Sequence, residues 1–168
     1  MTGLPGTGKS TIAEALGRRI GSPVFAGDWL LGAMKPSGVL STVDSSTVID
    51  LSDRLLWTLV QRQLTLEQSA IVDTLINDEV VGAWAAGVAE FGARFRVVEC
   101  VCADEGVHRE RVEGRRRNIP GWHEIDWDHV ERMRDEFPTP GVPHLTIDAL
   151  NSVDENLVEV LAYIYGRG

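Results

Sequence analysis

The first ten residues contain a pattern whose residue types and spacing fit the binding of phosphate. Residues 3–10 read Gly-Leu-Pro-Gly-Thr-Gly-Lys-Ser, which matches G-x-x-x-x-G-K-[ST]. Glycines let the backbone curl so that its N–H groups point at phosphate oxygens, while Lys9 can reach terminal phosphates and the Ser10 hydroxyl can ligate Mg²⁺. A helix predicted to follow the loop would favour anions at its N-terminus. We therefore expect nucleotide phosphates to contact Gly3, Leu4, Pro5, Gly6, Thr7, Gly8, Lys9, Ser10 and Thr11.

Three aspartates follow short apolar runs, at positions 28, 73 and 104. In a parallel sheet, ligands bind beyond the carboxyl ends of the strands. Asp28 could accept a proton from a substrate hydroxyl, or it could instead cap a helix that begins at Trp29. Asp73 could hold Mg²⁺ directly or through water, or it could be a turn residue at the end of a strand. Asp104 is predicted to cap the next helix.

An arginine-rich stretch follows Asp104 and lies within residues 104–121, which we interpret as a lid. Its arginines are Arg109, Arg111, Arg115, Arg116 and Arg117. Positive charge on a closing lid can stabilise a migrating phosphoryl group. Arg111 and Arg115 are four residues apart and would share one face of a helix, so they are the favoured phosphate contacts. Alternatively, Glu110 and Glu113 could pair with these arginines on a solvated face.

Apolar runs alternate with amphipathic stretches along the whole chain. The patterns predict strands at 23–26, 70–72, 95–102 and 144–147, and helices at 10–20, 52–68, 78–91, 104–117, 127–137 and 153–165. This alternation predicts one α/β domain over residues 1–168, a three-layer sandwich with a central parallel sheet. The stretch 35–46, rich in Gly, Ser, Thr and Pro, is predicted to be a mobile loop.

The strand that normally leads into a phosphate-binding loop has little sequence available to it. Only Met1 and Thr2 precede Gly3, whereas a strand typically has about five residues. The sequence therefore predicts that the first strand is missing. Either the N-terminus is truncated or the loop lacks its usual support.

The overall composition is that of a globular protein, with 43% hydrophobic and 24% charged residues. No apolar stretch approaches the roughly 18 residues of a membrane span, and we expect a cytoplasmic protein. The net charge of −9 disfavours a long nucleic acid as partner, because such binding needs a cationic surface. Arginines outnumber lysines by 14 to 2, which is typical of a GC-rich bacterial genome. The sequence predicts no particular oligomeric state.

Taken together, these residues resemble the P-loop kinase group that includes chloramphenicol phosphotransferase, zeta toxin and the shikimate and gluconate kinases. The resemblance rests on the loop at 3–10, Asp28 after the second strand, Asp73 after an apolar strand and the arginines of 109–117. Residues 25–28, Phe-Ala-Gly-Asp before an apolar helix, are most similar to the chloramphenicol phosphotransferase arrangement, in which the matching acid is the proposed base.

The resemblance implies a small ATP-binding kinase that uses ATP and Mg²⁺ and phosphorylates a hydroxyl of a small molecule. It assigns catalysis to Lys9, Asp28, Arg111 and Arg115, and metal binding to Ser10 and Asp73. Two alternatives stay open: a kinase of nucleic-acid ends or of a nucleotide or nucleotide sugar, and a non-catalytic or degenerate nucleotide-binding protein.

Overall fold

Four short parallel strands form the sheet of the computed structural model, which describes residues 1–166. The strands are β1 (Val24–Ala26), β2 (Ile71–Asp73), β3 (Val98–Val101) and β4 (Leu145–Asp148). β1 pairs with β2, and β3 pairs with β4, each in parallel.

Met1 and Thr2 join the two halves of the sheet through backbone hydrogen bonds. The Met1 amino group donates to the carbonyl of Val72 at 2.7 Å, and the Thr2 N–H donates to the carbonyl of Val98 at 2.8 Å. The order across the sheet is therefore β1, β2, residues 1–2, β3 and β4. Two residues thus stand at the place of the predicted missing strand, and Thr2 forms an isolated bridge with Glu99.

Helices connect the strands throughout. They are α1 (Lys9–Ile20), α2 (Gly27–Met34), α3 (Ser45–Thr65), α4 (Asp78–Glu90), α5 (Glu105–Gly114), α6 (Trp127–Glu136) and α7 (Val153–Tyr165). Five of them begin after a side chain that accepts a hydrogen bond from the first turn, namely Asp44, Asn77, Asp104, Asp126 and Ser152. The predicted capping role of Asp104 is confirmed. No helix within residues 1–166 has the length and hydropathy that crossing a membrane requires.

The helices pack around the sheet in two groups. α1 and α7 pack against each other, and they enclose with the strands a buried cluster of Ile12, Ala13, Leu16, Ile71, Val98, Cys100, Ile147 and Val160. α3 packs against β1 and α4, where the rings of Trp57 and Trp84 stack with centroids 6.0 Å apart. The predicted α/β fold with parallel strands is confirmed.

Two predicted boundaries are wrong in ways that matter for the site. α3 begins at Ser45 because Asp44 caps it, and the predicted loop before it contains two short 3-10 helices, Lys35–Ser37 and Val39–Thr42. α5 ends at Gly114 instead of Arg117, and the backbone of Arg115 is extended. The arginines after Gly114 therefore do not belong to a helix.

Candidate functional site

The phosphate-binding loop requires glycine at positions where the backbone turns tightly. Gly3 has φ +133°, and a Cβ atom there would lie 2.2 Å from the carbonyl oxygen of Cys100. At Gly6, with φ +91°, a Cβ would lie 2.5 Å from the side chain of Val112. Inside the loop, the Thr7 hydroxyl donates to Leu4 O at 2.8 Å. The loop thus leads directly from Thr2 into the first turn of α1.

His108 of α5 contacts the phosphate-binding loop through a side-chain hydrogen bond. Its Nε2 lies 2.8 Å from Pro5 O, and because a carbonyl only accepts, Nε2 donates. The ring is buried and meets Trp127 edge-on, with centroids 5.1 Å apart. Burial lowers the pKa of His108, so the ring is neutral near neutral pH. The structure thus gives His108 a packing role against the loop.

Lys9, Ser10 and Asp73 face one cavity of about 630 Å³. Asp73 ends β2, is only 7% exposed, and its Oδ1 has no hydrogen-bond partner within residues 1–166. Burial lowers the pKa of Lys9, while the negative charges of Asp73 and Asp28 act in the opposite direction. Carboxylate and hydroxyl oxygens are the ligands that Mg²⁺ prefers, and Asp73 carries an unused buried oxygen. The residues present therefore fit Mg²⁺.

Asp28 lines the same cavity from the first turn of α2. Its Oδ2 accepts a hydrogen bond from Nη1 of Arg117, with which it forms an ion pair. α2 begins at Gly27, and no side chain caps its N-terminus. The alternative that Asp28 caps this helix is therefore wrong, and its carboxylate is directed into the cavity instead.

The arginines of the predicted lid point in different directions. Arg109 forms an exposed ion pair with Glu113 at 2.8 Å, which is the solvated pairing that the sequence also allowed. Directly after Gly114 the backbone is extended at Arg115, and burial alternates along the next residues. Arg115 and Arg117 are accordingly half-buried, and Arg116 is exposed.

Arg111 and Arg115 do not share a helix face, because α5 ends between them. Arg111 is exposed, and its Nη2 donates to Ala149 O at 3.0 Å. Arg115 has Nε and Nη2 buried without a partner in the described part of the chain, and burial lowers its pKa. The sequence prediction that pairs these two residues through helical spacing is therefore wrong in its geometry.

A second cavity, of about 670 Å³, opens on the other side of the loop. It is lined by Gly8, Ser10 and Thr11 of the loop, by Arg111 and Arg115, and by Ala149 and Asn151 after β4. Lys9, Ser10 and Arg117 line both cavities. The loop thus lies between two spaces, which is an arrangement that can hold a phosphate chain with a different group on each side.

Two residues of the site could not be assigned from the sequence. Arg117 was one of five lid arginines and was not favoured, although the order Arg115-Arg116-Arg117 directly after Gly114 is the signal that could have singled it out. His108 carried no signal, since its contact with Pro5 joins residues far apart in the chain.

The fold is that of several kinases whose structures are solved. A gluconokinase from Sinorhizobium meliloti 1021 aligns with a TM-score of 0.69 and 18% identity, covering 97% of this chain and 88% of that chain. The APS kinase of Mycobacterium tuberculosis, solved with AMPPNP and APS, aligns with a TM-score of 0.63 and 19% identity over 95% and 92%. A sugar kinase from Janibacter sp. HTCC2649 gives 0.69 and 14% over 98% and 92%. At these identities the likeness shows the fold alone.

No curated protein sequence matches this chain significantly. A family model described as AAA domain matches residues 1–140, which is most of the chain. The matched range contains the loop, Asp28, Asp73 and the arginines at 109–117. Because the match is this extensive, and because the fold is that of the P-loop kinases, the chain belongs to the AAA domain family.

Proposed function

We propose that this chain is an ATP-dependent phosphotransferase that moves the γ-phosphate of ATP to a hydroxyl of a small molecule. The observation that carries the proposal is the single cavity lined by Lys9, Ser10, Asp73 and Asp28. A nucleotide held by the loop and a hydroxyl held near Asp28 would share this space. Kinases need that proximity because the phosphoryl group passes directly between two oxygen atoms, roughly in line.

In this proposal, the backbone N–H groups of the loop bind the phosphates of ATP. The nucleoside extends into the second cavity, beside Arg111 and the residues after β4. Mg²⁺ bound to Ser10 and Asp73 would neutralise charge on the β- and γ-phosphate oxygens. Lys9 adds positive charge at the terminal phosphates, and the nearby negative charges of Asp73 and Asp28 favour its charged form.

The transfer itself forms one bond and breaks one bond. The acceptor hydroxyl oxygen attacks the γ-phosphorus, and the bond between that phosphorus and the bridging oxygen of ADP breaks. The hydroxyl proton passes to Asp28, whose Oδ2 is engaged with Arg117 and whose Oδ1 remains for the acceptor. The products are a phosphate monoester and ADP. Because the transition state is loose, positioning contributes more than the strength of the base.

The arginines beyond α5 act on charge that develops during transfer. Arg115 has buried N–H groups without a protein partner in the described chain, which suits it to contact phosphate oxygens. Arg117 lines both cavities and is held by Asp28, so it can bridge the migrating group and the acceptor. Fixed donors of this kind typically contribute about 10²–10³ in rate.

The first experiment is calorimetry of Mg·ATP binding by the wild-type chain and by Lys9→Ala. We expect saturable binding that Lys9→Ala weakens by at least about tenfold, which is about 1.4 kcal/mol. Arg19→Ala is the matched control, because it removes one positive charge from the exposed far end of the same helix and should leave binding unchanged.

The outcomes separate the alternatives. Saturable binding followed by release of ADP in the presence of an alcohol supports the proposal. Binding without transfer to any hydroxyl compound would favour a non-catalytic nucleotide-binding protein, and transfer to oligonucleotide ends would favour a nucleic-acid kinase. Absence of Mg·ATP binding would overturn the proposed function.

A further inference from the structure

The cavity in front of Asp28 has mainly apolar walls away from the loop. Side chains from α2, α3, α6 and the segment between α5 and α6 form them, including Trp29, Leu30, Ile49, Trp122, Met133 and Phe137. A sugar or sugar acid needs a polar partner for most of its hydroxyls, since an unpaired buried polar group costs free energy. These walls fit a ring or hydrocarbon body better than a polyol.

Two of the wall residues are unusually exposed for their type. Trp29 is 52% exposed and Ile49 is 53% exposed, although both line the cavity. Large apolar side chains that stay exposed beside a concave site are typical of ligand contacts. The buried, unpartnered Oδ1 of Asp73 lies in the same cavity and independently indicates that a ligand belongs there.

The charges around this cavity leave an excess of negative charge. The charged and titratable residues that line it beyond Lys9 and Asp73 are Glu14, Asp28, Asp53, Arg117, His129, Arg132 and Glu136. Arg117 is paired with Asp28, and Glu14 lies 3.6 Å from Arg18. The charged side chains that remain are two acids, Asp53 and Glu136, and one base, Arg132. An anionic acceptor would meet net repulsion in this part of the site.

Asp53 is the acid of this wall that is best placed to bind a cation. It lies on α3 one turn after Ile49, is half-buried, and has no hydrogen bond or ion pair to any residue of 1–166. Burial and the nearby Asp50 raise the pKa of Asp53 to about 6, so it is mostly ionised at neutral pH. Asp50 itself is engaged by Arg54 at 2.7 Å. A half-buried carboxylate without a partner is stabilised by an ammonium group.

We propose that the acceptor is a cationic amphipathic alcohol, with its apolar ring against Trp29 and Trp122, its ammonium group on Asp53 and its hydroxyl on Asp28. Lys35 Nζ lies 5.4 Å from the ring centroid of Trp122, but Lys35 does not line the cavity. The assignment rests on the proposed phosphotransferase function and names its substrate class. It excludes carboxylated and phosphorylated sugars as preferred acceptors.

The test uses three probes with the same phenyl body and different charge. Phenylalaninol carries an ammonium group, 3-phenyl-1-propanol is neutral, and phenyllactate carries a carboxylate. Binding to the chain loaded with Mg·AMPPNP is measured by calorimetry and by quenching of tryptophan fluorescence, and phosphate transfer is measured with Mg·ATP. We expect phenylalaninol to bind at least about tenfold more tightly than the neutral probe, with phenyllactate weakest.

Asp53→Asn should remove the advantage of phenylalaninol and leave the neutral probe within about twofold. Asp44→Asn is the control, because Asp44 caps α3 at an exposed position outside the cavity and Asn caps a helix equally well. Equal binding of the three probes, tightest binding of phenyllactate or gluconate, or no binding of any probe would each overturn the acceptor assignment. If Mg·ATP still binds and Lys9→Ala still weakens it, the phosphotransferase proposal survives such a result; loss of Mg·ATP binding ends both.

Discussion

Asp28 and Arg117 hold each other in a geometry that decides which of their atoms stay free for ligands. Nη1 of Arg117 donates to Oδ2 of Asp28, whereas its Nε faces Glu124 at 3.9 Å. Within residues 1–166, Oδ1 of Asp28 has no hydrogen-bond partner. A substrate hydroxyl can therefore donate to Oδ1 while the ion pair with Arg117 persists.

We predict that Asp28→Asn lowers kcat by at least about 100-fold, because the amide cannot accept the hydroxyl proton. Mg·ATP affinity should stay within about twofold of wild type, since the loop is unchanged. Steady-state release of ADP and calorimetry measure the two quantities. A variant that lost nucleotide affinity but kept its kcat would contradict the assigned role of Asp28.

Asp53 makes the folded chain less stable as pH rises, whereas an acid in a salt bridge makes a protein more stable as pH rises. Its pKa in the folded chain is about 6, above the ordinary value of 3.8, so folding favours its neutral form. The resulting stability is present at low pH and is lost as pH rises through about 6. Asp53→Asn should therefore raise the urea midpoint more at about pH 8 than at about pH 5. An equal gain at both pH values would contradict this reading.

At the scale of elements, the end of α5 determines which arginines reach the site. The helix stops at Gly114, the backbone is extended at Arg115, and in the stretch that follows Arg115 and Arg117 are half-buried while Arg116 is exposed. A helix continuing through these positions would have spaced the three side chains around its axis by about 100° per residue.

This alternation predicts different effects for neighbouring substitutions. Arg117→Ala should lower kcat/KM for phosphate transfer by at least about tenfold, because it removes a fixed donor that lines both cavities. Arg116→Ala, the matched neighbour, should stay within about twofold of wild type. Comparable losses in the two variants would show that general positive charge, and not this geometry, matters.

The centre of the sheet contains a second feature at this scale, a cavity of about 540 Å³ beside Met1. Ile71 N–H donates to Pro23 O, directly before β1, whereas Val72 O accepts from Met1, so Val72 faces the centre of the sheet. By the same alternation Val98, whose carbonyl accepts from Thr2, also faces it. The N–H groups of Val72 and Val98 therefore point toward this cavity.

An extension before Met1 tests whether this cavity limits stability. Placing about five apolar β-branched residues before Met1 should pair with these N–H groups and fill the cavity, which would stabilise the fold. Tm should rise by about 2–4 °C for each kcal/mol gained. An extension of the same length made of Gly and Ser is the control, and an equal Tm for both extended chains would contradict the prediction.

At the scale of the whole molecule, the net charge of −9 opposes binding of long polyanions, while the loop can still hold one nucleotide locally. A single-stranded oligonucleotide should therefore show no saturable binding at about 0.15 M salt in fluorescence anisotropy. Mg·ATP binding should persist in the same buffer. Tight oligonucleotide binding that weakens steeply with salt would instead favour a nucleic-acid kinase.

Much of the fold and of the site can be predicted from residues that are contiguous in the chain. The loop at 3–10 can be identified because its glycines, Lys9 and Ser10 act within one short stretch of backbone. The alternation of apolar runs and amphipathic helices predicts the α/β fold, and α7 begins and ends where its sequence pattern does, at Val153–Tyr165. Asp104 follows the same logic, since a cap acts on a backbone N–H three residues away.

The contacts that only the tertiary structure decided join residues that are distant in the chain. The pairing of Asp28 with Arg117 spans 89 positions, and the contact of His108 with Pro5 spans 103. Neither follows from periodicity, because both depend on the order of the strands and on where α5 stops. Local hydrogen bonding and hydrophobic spacing are encoded residue by residue, whereas the meeting of these side chains results from packing α5 and α6 over the carboxyl edge of the sheet.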